Sequence, residues 1–96
     1  MSNPKRGDNY TNISSATTTA IATGRGTLKR IVCNKAVASG VITVYDNTAG
    51  SGTKIATITH PATLLQNQYD LEYNVQFATG LTIVTSAADD LTIVWS

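Results

Sequence analysis

The carboxylates Asp70 and Glu72 are the residues whose types and spacing come closest to a catalytic arrangement. Residues two apart on a β-strand point to the same face and lie about 7 Å apart, which is within the range of the paired acids of glycoside hydrolases. Hydrolysis also needs a cleft and a raised pKa on one acid, whereas these two lie on the polar side of a strongly alternating segment. We therefore expect solvated side chains and no catalytic pair.

Soft metal ligands are scarce, since the chain has one cysteine, Cys33, and one histidine, His60. A zinc, iron or copper site needs several such ligands, and an intrachain disulfide needs a second cysteine. The sequence therefore predicts no metal, no cofactor and no disulfide. Cys33 lies in an apolar run, which favours a small core residue over a nucleophile. The pair Asp89-Asp90 favours a turn over a calcium site because further carboxylates are missing.

Residues 39–59 give the clearest structural signal. Two runs rich in β-branched residues, 41–45 and 53–59, flank the polar stretch 46–52, which predicts an antiparallel hairpin with a long tip. Glycine adopts the positive φ values that such a turn requires, and the side chains of Asp46 and Asn47 can bond their own backbone to start it. Asn47, Gly50 and Gly52 are therefore the candidate residues of an exposed loop.

Alternation and composition predict the other strands. Apolar and polar residues alternate from 69 to 78, which is typical of a half-buried strand. Further strands are predicted at 16–23, 28–34, 81–85 and 91–95, and the dipeptide Leu64-Leu65 is expected to plug the sheet beneath the connection 62–68. About seven antiparallel strands without a helix predict a single β-sandwich over residues 16–96, either a jelly roll or immunoglobulin-like.

Residues 1–15 have little apolar content beyond Tyr10 and Ile13. Such a segment cannot offset its ordering entropy by burial, so we expect a flexible N-terminal arm that orders on a partner. Lys5, Arg6, Tyr10 and Ile13 are its candidate docking residues, because they supply the arm with positive charge and apolar surface.

The chain's low charge favours self-association. Charged residues make up 14% of the chain, against about 25% in an average soluble domain, and threonine, serine and alanine replace them. A weakly charged surface reduces the repulsion between copies. A domain of this size also buries only about 60–65% of its extended-chain surface, so the monomer is expected to be marginally stable. We expect a homo-oligomer.

Charge is unevenly distributed, with a net +5 over residues 1–35 and −4 over residues 36–96. The split could serve docking between subunits or onto an acidic partner, or it could reflect basic and acidic strands paired inside one fold.

Apart from Tyr10 the aromatic residues begin at Tyr45, so the basic region lacks the aromatic side chains that stack on bases and we expect no nucleic-acid partner. No apolar run approaches the ~20 residues of a membrane span, and residues after Met1 lack the apolar core of a secretion signal. We expect no membrane partner.

Three segments resemble a group of small structural proteins of tailed-bacteriophage virions: residues 28–35 (LKRIVCNK), 41–55 (VITVYDNTAGSGTKI) and 75–86 (VQFATGLTIVTS). Members of the group serve as head decoration, head fibre or tail-associated proteins, and the resemblance covers about residues 27–95. It implies a β-sandwich that forms an oligomer, often a trimer, on a virion assembled in the host cytoplasm. It implies no catalytic residues.

The residues and the resemblance together predict a non-enzymatic virion protein, a capsid decoration or head-fibre subunit that binds itself and a major capsid or tail protein. The alternative is a carbohydrate-binding adhesin of a phage tail or fibre that recognises a host-surface glycan. In that role Tyr45, Tyr69 or Trp95 would stack on a sugar ring, although their strand positions favour the core.

Overall fold

The structure, a computed structural model, describes residues 8–96. These residues form eight β-strands and no helix. The strands are β1 (Asn9–Ile13), β2 (Thr18–Thr23), β3 (Gly26–Lys35), β4 (Val41–Tyr45), β5 (Lys54–Thr59), β6 (Tyr69–Phe77), β7 (Gly80–Thr85) and β8 (Asp90–Trp95).

The topology is that of one long hairpin rolled onto itself. β4 pairs with β5, β3 with β6, β2 with β7 and β1 with β8, all antiparallel. Rolling the hairpin adds the pairs β3–β8 and β4–β7. The result is two four-stranded sheets, which we call sheet A (β1-β8-β3-β6) and sheet B (β2-β7-β4-β5). This arrangement is an eight-stranded jelly roll, and it decides against the immunoglobulin-like alternative.

The core lies between the two sheets and follows from the alternation of each strand. Its buried hydrophobic residues are Ile13, Leu28, Ile31, Cys33, Ala36, Ile42, Val44, Phe77, Leu81, Ile83, Leu91 and Ile93. β6 shows the predicted half-buried pattern, with its inward side chains more buried than their polar neighbours. Asn74 within β6 has a φ of 52°, so the strand is distorted at this residue.

The predicted boundary between arm and domain is wrong for residues 9–13. This stretch forms β1, each of whose five residues is in register with one of β8, from Asn9 opposite Trp95 to Ile13 opposite Leu91. Ile13 is only 3% exposed, so it belongs to the core and is not available for docking. Sequence reasoning missed β1 because its partner lies about 80 residues away. The observed strand count is eight rather than about seven for the same reason.

The connection between β5 and β6 fits half of its prediction. Leu64 packs against the core as expected, whereas Leu65 is 98% exposed and does not plug the sheet. Leu65 lies at a bend of the connection, which allows one leucine to be buried without the other.

Candidate functional site

Asp70 and Glu72 form an ion-pair cluster on the outer face of sheet A. Arg30 on β3 lies 3.7 Å from the Asp70 carboxylate and 3.8 Å from that of Glu72. All three side chains are exposed, so the pairs are solvated and add little stability. Both acids share one arginine at the exposed face, so the structure gives them a role as paired surface charges. It also accounts for part of the charge split, because basic β3 and acidic β6 are neighbours inside one fold.

A buried hydrogen-bond network of polar side chains links four elements at one end of the sandwich, a feature that sequence reasoning missed. His60 follows β5, and its Nδ1 lies 3.2 Å from Asp89 Oδ1 and 3.2 Å from the Val37 carbonyl oxygen. The backbone N–H of Val37 donates to the same Asp89 oxygen at 2.7 Å. On the other side of the ring, Nε2 is hydrogen-bonded to the Tyr69 hydroxyl. His60 is 4% exposed and Asp89 is fully buried.

The partners of His60 define its proton positions. Nδ1 faces two acceptors, so it carries a proton, while Nε2 is the ring nitrogen that meets the Tyr69 hydroxyl. Asp89 Oδ2 has no hydrogen-bond partner among residues 8–96. The only sequence hints were the single histidine and the double aspartate, which are 29 positions apart and gave no sign of contact. The arrangement orders side chains and ties connections together.

Cys33 lies beside this hydrogen-bond network but is poorly suited to nucleophilic chemistry. Burial raises the pKa of its thiol, and the Asn67 carbonyl oxygen lies 3.9 Å from Sγ as its hydrogen-bond acceptor. Burial also raises the pKa of Tyr69, with Cys33 and Asp89 as further contributors. Since the thiolate is the reactive form, a thiol that is 1% exposed and resists ionisation acts as a core residue, in agreement with the sequence prediction.

The tip of the long hairpin folds back on the outer face of sheet B. Asn47 accepts a hydrogen bond from the Thr82 hydroxyl through its backbone oxygen at 2.8 Å. A Cβ on Gly50 would come within 2.8 Å of Val84 Cγ2 and 3.1 Å of Thr18 Cγ2. Gly50 therefore allows a close approach of the loop to the sheet, and Gly52 has a φ of 95°. Of the three predicted loop residues, Gly50 and Gly52 are exposed and Asn47 is half-buried.

Asp46 fixes the β6–β7 turn from the base of the same loop. Its carboxylate accepts hydrogen bonds from the backbone N–H groups of Ala78 at 3.0 Å, Thr79 at 2.8 Å and Gly80 at 3.3 Å. These N–H groups, led by that of Ala78, hold the pKa of Asp46 below its usual value. The residue was predicted as a turn starter, whereas its side chain in fact caps a different turn.

A surface cavity of about 380 Å³ opens at the end of the sandwich that holds the β2–β3 and β6–β7 turns. Its polar lining residues include Arg25, Asp46 and Gln76, and Phe77 contributes an apolar wall. The volume is that of a small-ligand site. Tyr45, Tyr69 and Trp95 do not line it, and all three are half-buried.

Large exposed apolar side chains are few. Tyr10 on β1 is 72% exposed on the outer face of sheet A, and Leu65 is the other large exposed hydrophobic residue among residues 8–96. Of the predicted docking residues, Tyr10 is therefore accessible and Ile13 is not, while Lys5 and Arg6 lie outside the described residues. The Tyr10 side chain projects from the same face as Asn12, whose amide donates to Asp90 Oδ1 at 2.8 Å.

Within residues 8–96 no cluster of three or more histidine, cysteine or acidic side chains is arranged to hold a metal ion. That part of the chain also has no helix that could cross a membrane. Comparison with protein-family models, curated proteins and solved structures gave no match.

Proposed function

We propose that this chain is a non-enzymatic structural protein of a tailed-bacteriophage virion, a capsid decoration or head-fibre subunit that associates with copies of itself and with a major capsid or tail protein. The observation that carries the proposal is the strand order of the two sheets. An eight-stranded jelly roll is the architecture of viral capsid domains, and also of lectin domains and cupins.

The polar groups support a structural role over an enzymatic one. Asp46 is saturated by backbone donors, the exposed acids of β6 pair with Arg30, and Cys33 is a buried thiol. A fold alone does not determine function, so the state of these side chains carries weight beside the topology. Each candidate for chemistry that the sequence offered has a structural task in the described residues.

Docking to the particle is proposed to use the N-terminal segment and Tyr10. Residues 2–7 carry Lys5 and Arg6, and β1 places Tyr10 in the open next to them in sequence. The test is to add the purified protein back to particles that lack it and to measure binding by co-sedimentation. We expect deletion of residues 2–7, or Tyr10→Ala, to weaken binding at least tenfold while the β-sheet circular dichroism is unchanged.

A matched control is Tyr45→Phe, which keeps the ring of a half-buried tyrosine far along the chain from the arm. It should bind the particles like the unmodified protein. If the deletion and Tyr10→Ala both bind unchanged, the proposed docking segment is wrong. If the unmodified protein does not bind particles at all, the virion role itself is wrong.

Carbohydrate binding is the second candidate, and the cavity beside Arg25 favours it. A jelly roll also serves lectins, and the Arg25 guanidinium and the Gln76 amide, which line the cavity, could bond sugar hydroxyls. A glycan array tests this role, with Gln76→Ala expected to reduce any signal. Titration followed by Trp95 fluorescence gives the affinity, since Trp95 lies opposite Leu28 at this end of β3. No glycan signal would remove this candidate.

A further inference from the structure

Strand β5 is an open edge of sheet B. His60 donates its backbone N–H to Gly40 at 2.8 Å, and Ser86 donates to the Val41 oxygen at 3.0 Å on the opposite side of β4. Backbone groups alternate in direction along an antiparallel strand, so Thr57 and Thr59 point their N–H and C=O groups away from β4. Within residues 8–96 no other backbone segment bonds to them.

From Ala56 onward the β5 edge lacks the features that protect natural sheet edges, whereas a bulge lies at Ile55, where the register with β4 shifts. Such edges usually carry charges, prolines, bulges or a very short strand. The five residues 55–59, Ile-Ala-Thr-Ile-Thr, are uncharged and contain no proline, and the register with β4 is regular from Ala56 to Thr59. The one charge of β5 is Lys54 at its first position.

Each of the other three edges is interrupted or polar. β2 has a bulge between Ala20 and Ala22. β6 carries Asp70 and Glu72 and is distorted at Asn74. β1 is the shortest strand of the four and contains two asparagines, a residue type depleted in strands. β5 therefore combines an uncharged stretch of regular register, Ala56 to Thr59, with a composition rich in β-branched residues.

We propose that β5 is the surface on which a second copy of this chain pairs, antiparallel and across a twofold axis at Thr57. An unpaired ladder is completed by another strand, and the same strand from a second copy is complementary to itself in the antiparallel sense. The pairing joins two copies of sheet B into one eight-stranded sheet. Thr57 exchanges both of its backbone hydrogen bonds with Thr57 of the second copy.

Charge and apolar surface both fit this register. The twofold axis keeps the two Lys54 residues about 20 Å apart, six strand residues at roughly 3.4 Å each, so they do not repel strongly. Ile55, Ala56 and Ile58 pack against the core but are half-buried at this edge. A second copy covers them further, which adds hydrophobic stabilisation to the backbone bonds.

This inference deepens the proposed function by naming the self-association surface, and it departs from the trimer that the resemblance implies. Pairing of like edges gives twofold symmetry, whereas a trimeric ring requires β5 to meet a different edge of the next copy. The second edge of the same sheet, β2, is bulged in its middle, between Ala20 and Ala22, whereas the bulge of β5 lies at its start, between Lys54 and Ala56. The structure therefore favours a dimer as the basic unit.

Thr57→Pro tests the pairing, with Thr18→Pro as the matched control. Proline removes an N–H, and at edge positions whose N–H points outward it leaves the strand's own ladder intact. Thr57 meets this condition on β5. Thr18 meets it at the start of β2, because the neighbouring Thr17 is the residue that bonds Thr85. Sedimentation velocity should give twice the 10.1 kDa chain mass for the unmodified protein and for Thr18→Pro, and a monomer for Thr57→Pro.

A disulfide experiment covers the case in which the proline variant fails to fold. Directly opposed residues of a hydrogen-bonded antiparallel pair have Cα atoms about 5.5 Å apart, a separation that a disulfide spans. Mild oxidation should link Thr57→Cys into a covalent dimer, whereas Thr18→Cys and the unmodified protein, with its buried Cys33, stay unlinked.

The outcomes separate the inference from the virion role. A monomeric unmodified protein, a dimeric Thr57→Pro variant, or a Thr57→Cys variant that does not cross-link would each overturn the β5 pairing. Loss of assembly in both proline variants would instead indicate a β5–β2 ring and would also overturn it. Particle binding, measured separately by co-sedimentation, decides the virion role whichever result is found.

Discussion

Replacement of His60 by alanine should destabilise the domain more than any change to an exposed charge. The substitution removes the Nδ1 donor from a fully buried carboxylate and the hydrogen bond between Nε2 and the Tyr69 hydroxyl. Asp89 Oδ2 already has no partner among the described residues, so Oδ1 would retain only the Val37 N–H. The buried carboxylate would then be left with one hydrogen bond.

The cost follows from the burial of both partners. Removing one member of a buried pair costs about 3–5 kcal/mol, a large share of the roughly 5–15 kcal/mol that stabilises a typical domain. At roughly 4–8 °C per kcal/mol for a domain of this size, the melting temperature should fall by at least 12 °C. The matched control is Asp70→Ala, whose exposed pair with Arg30 should contribute at most about 1 kcal/mol.

Urea denaturation at one fixed protein concentration measures the loss, because association with a second copy would add concentration-dependent stability. The double variant His60→Ala/Asp89→Ala should lose less than the sum of the two single variants by about 0.5–3 kcal/mol, since the unpaired carboxylate is then gone. A loss below about 1 kcal/mol in His60→Ala, or additive single effects, would refute the buried pair as a stabilising contact.

Three further outcomes are expected. The folded-state pKa of Asp46 lies below its unfolded value, so the stability that its carboxylate contributes is present above the ordinary aspartate pKa of about 4 and is lost as pH falls through the folded value. The urea midpoint of Asp46→Asn should therefore approach that of the unmodified protein on acidification. A difference between the two midpoints that stays constant with pH would contradict this. Cys33 should react with a thiol reagent only after unfolding, since its burial and raised pKa block the native thiolate; rapid labelling of the folded protein would be the contrary result. Gly26→Ala should lower the free energy of unfolding by about 1–3 kcal/mol, because its Cβ would meet Phe77 Cζ at 2.5 Å and the Ser96 oxygen at 2.7 Å. Thermal denaturation measures this loss. The comparison is Gly24→Ala, where φ is positive but a Cβ meets no atom within 4 Å.

The sequence predicts the parts of the fold that depend on local pattern. The alternation along β6, the β-branched runs of β4 and β5, and the burial of Cys33 all follow from side-chain period and composition. The hairpin between β4 and β5 is also local, since its two strands are separated by eight residues in the chain. These features therefore needed no knowledge of tertiary contacts.

Features that depend on distant partners were not predictable. β1 contains two asparagines and one buried isoleucine, and it forms a strand because β8 supplies its ladder. His60 and Asp89 meet because β5 and β7 end at the same side of the sandwich, although nothing near either residue signals the other. The loop at Asn47 was predicted to be exposed because the threonine that it covers lies on β7, far along the chain.

The site is predictable to a smaller degree than the fold. Tyr10 was identified because it is one of two apolar residues in a polar segment, and it is exposed as docking requires. Ile13 was chosen by the same reasoning and is buried. The two residues differ only in which face of β1 they occupy, and that depends on a pairing with β8 that the sequence does not display.

The copy number of this chain in purified virions tests the central claim most directly. Quantitative mass spectrometry of particles, with the major capsid protein as the internal reference, gives that number. A structural subunit should be present in a fixed ratio to the capsid or tail protein that survives gradient purification and salt washing. Absence from the particles, or a trace amount that falls with each wash, would contradict the proposed function.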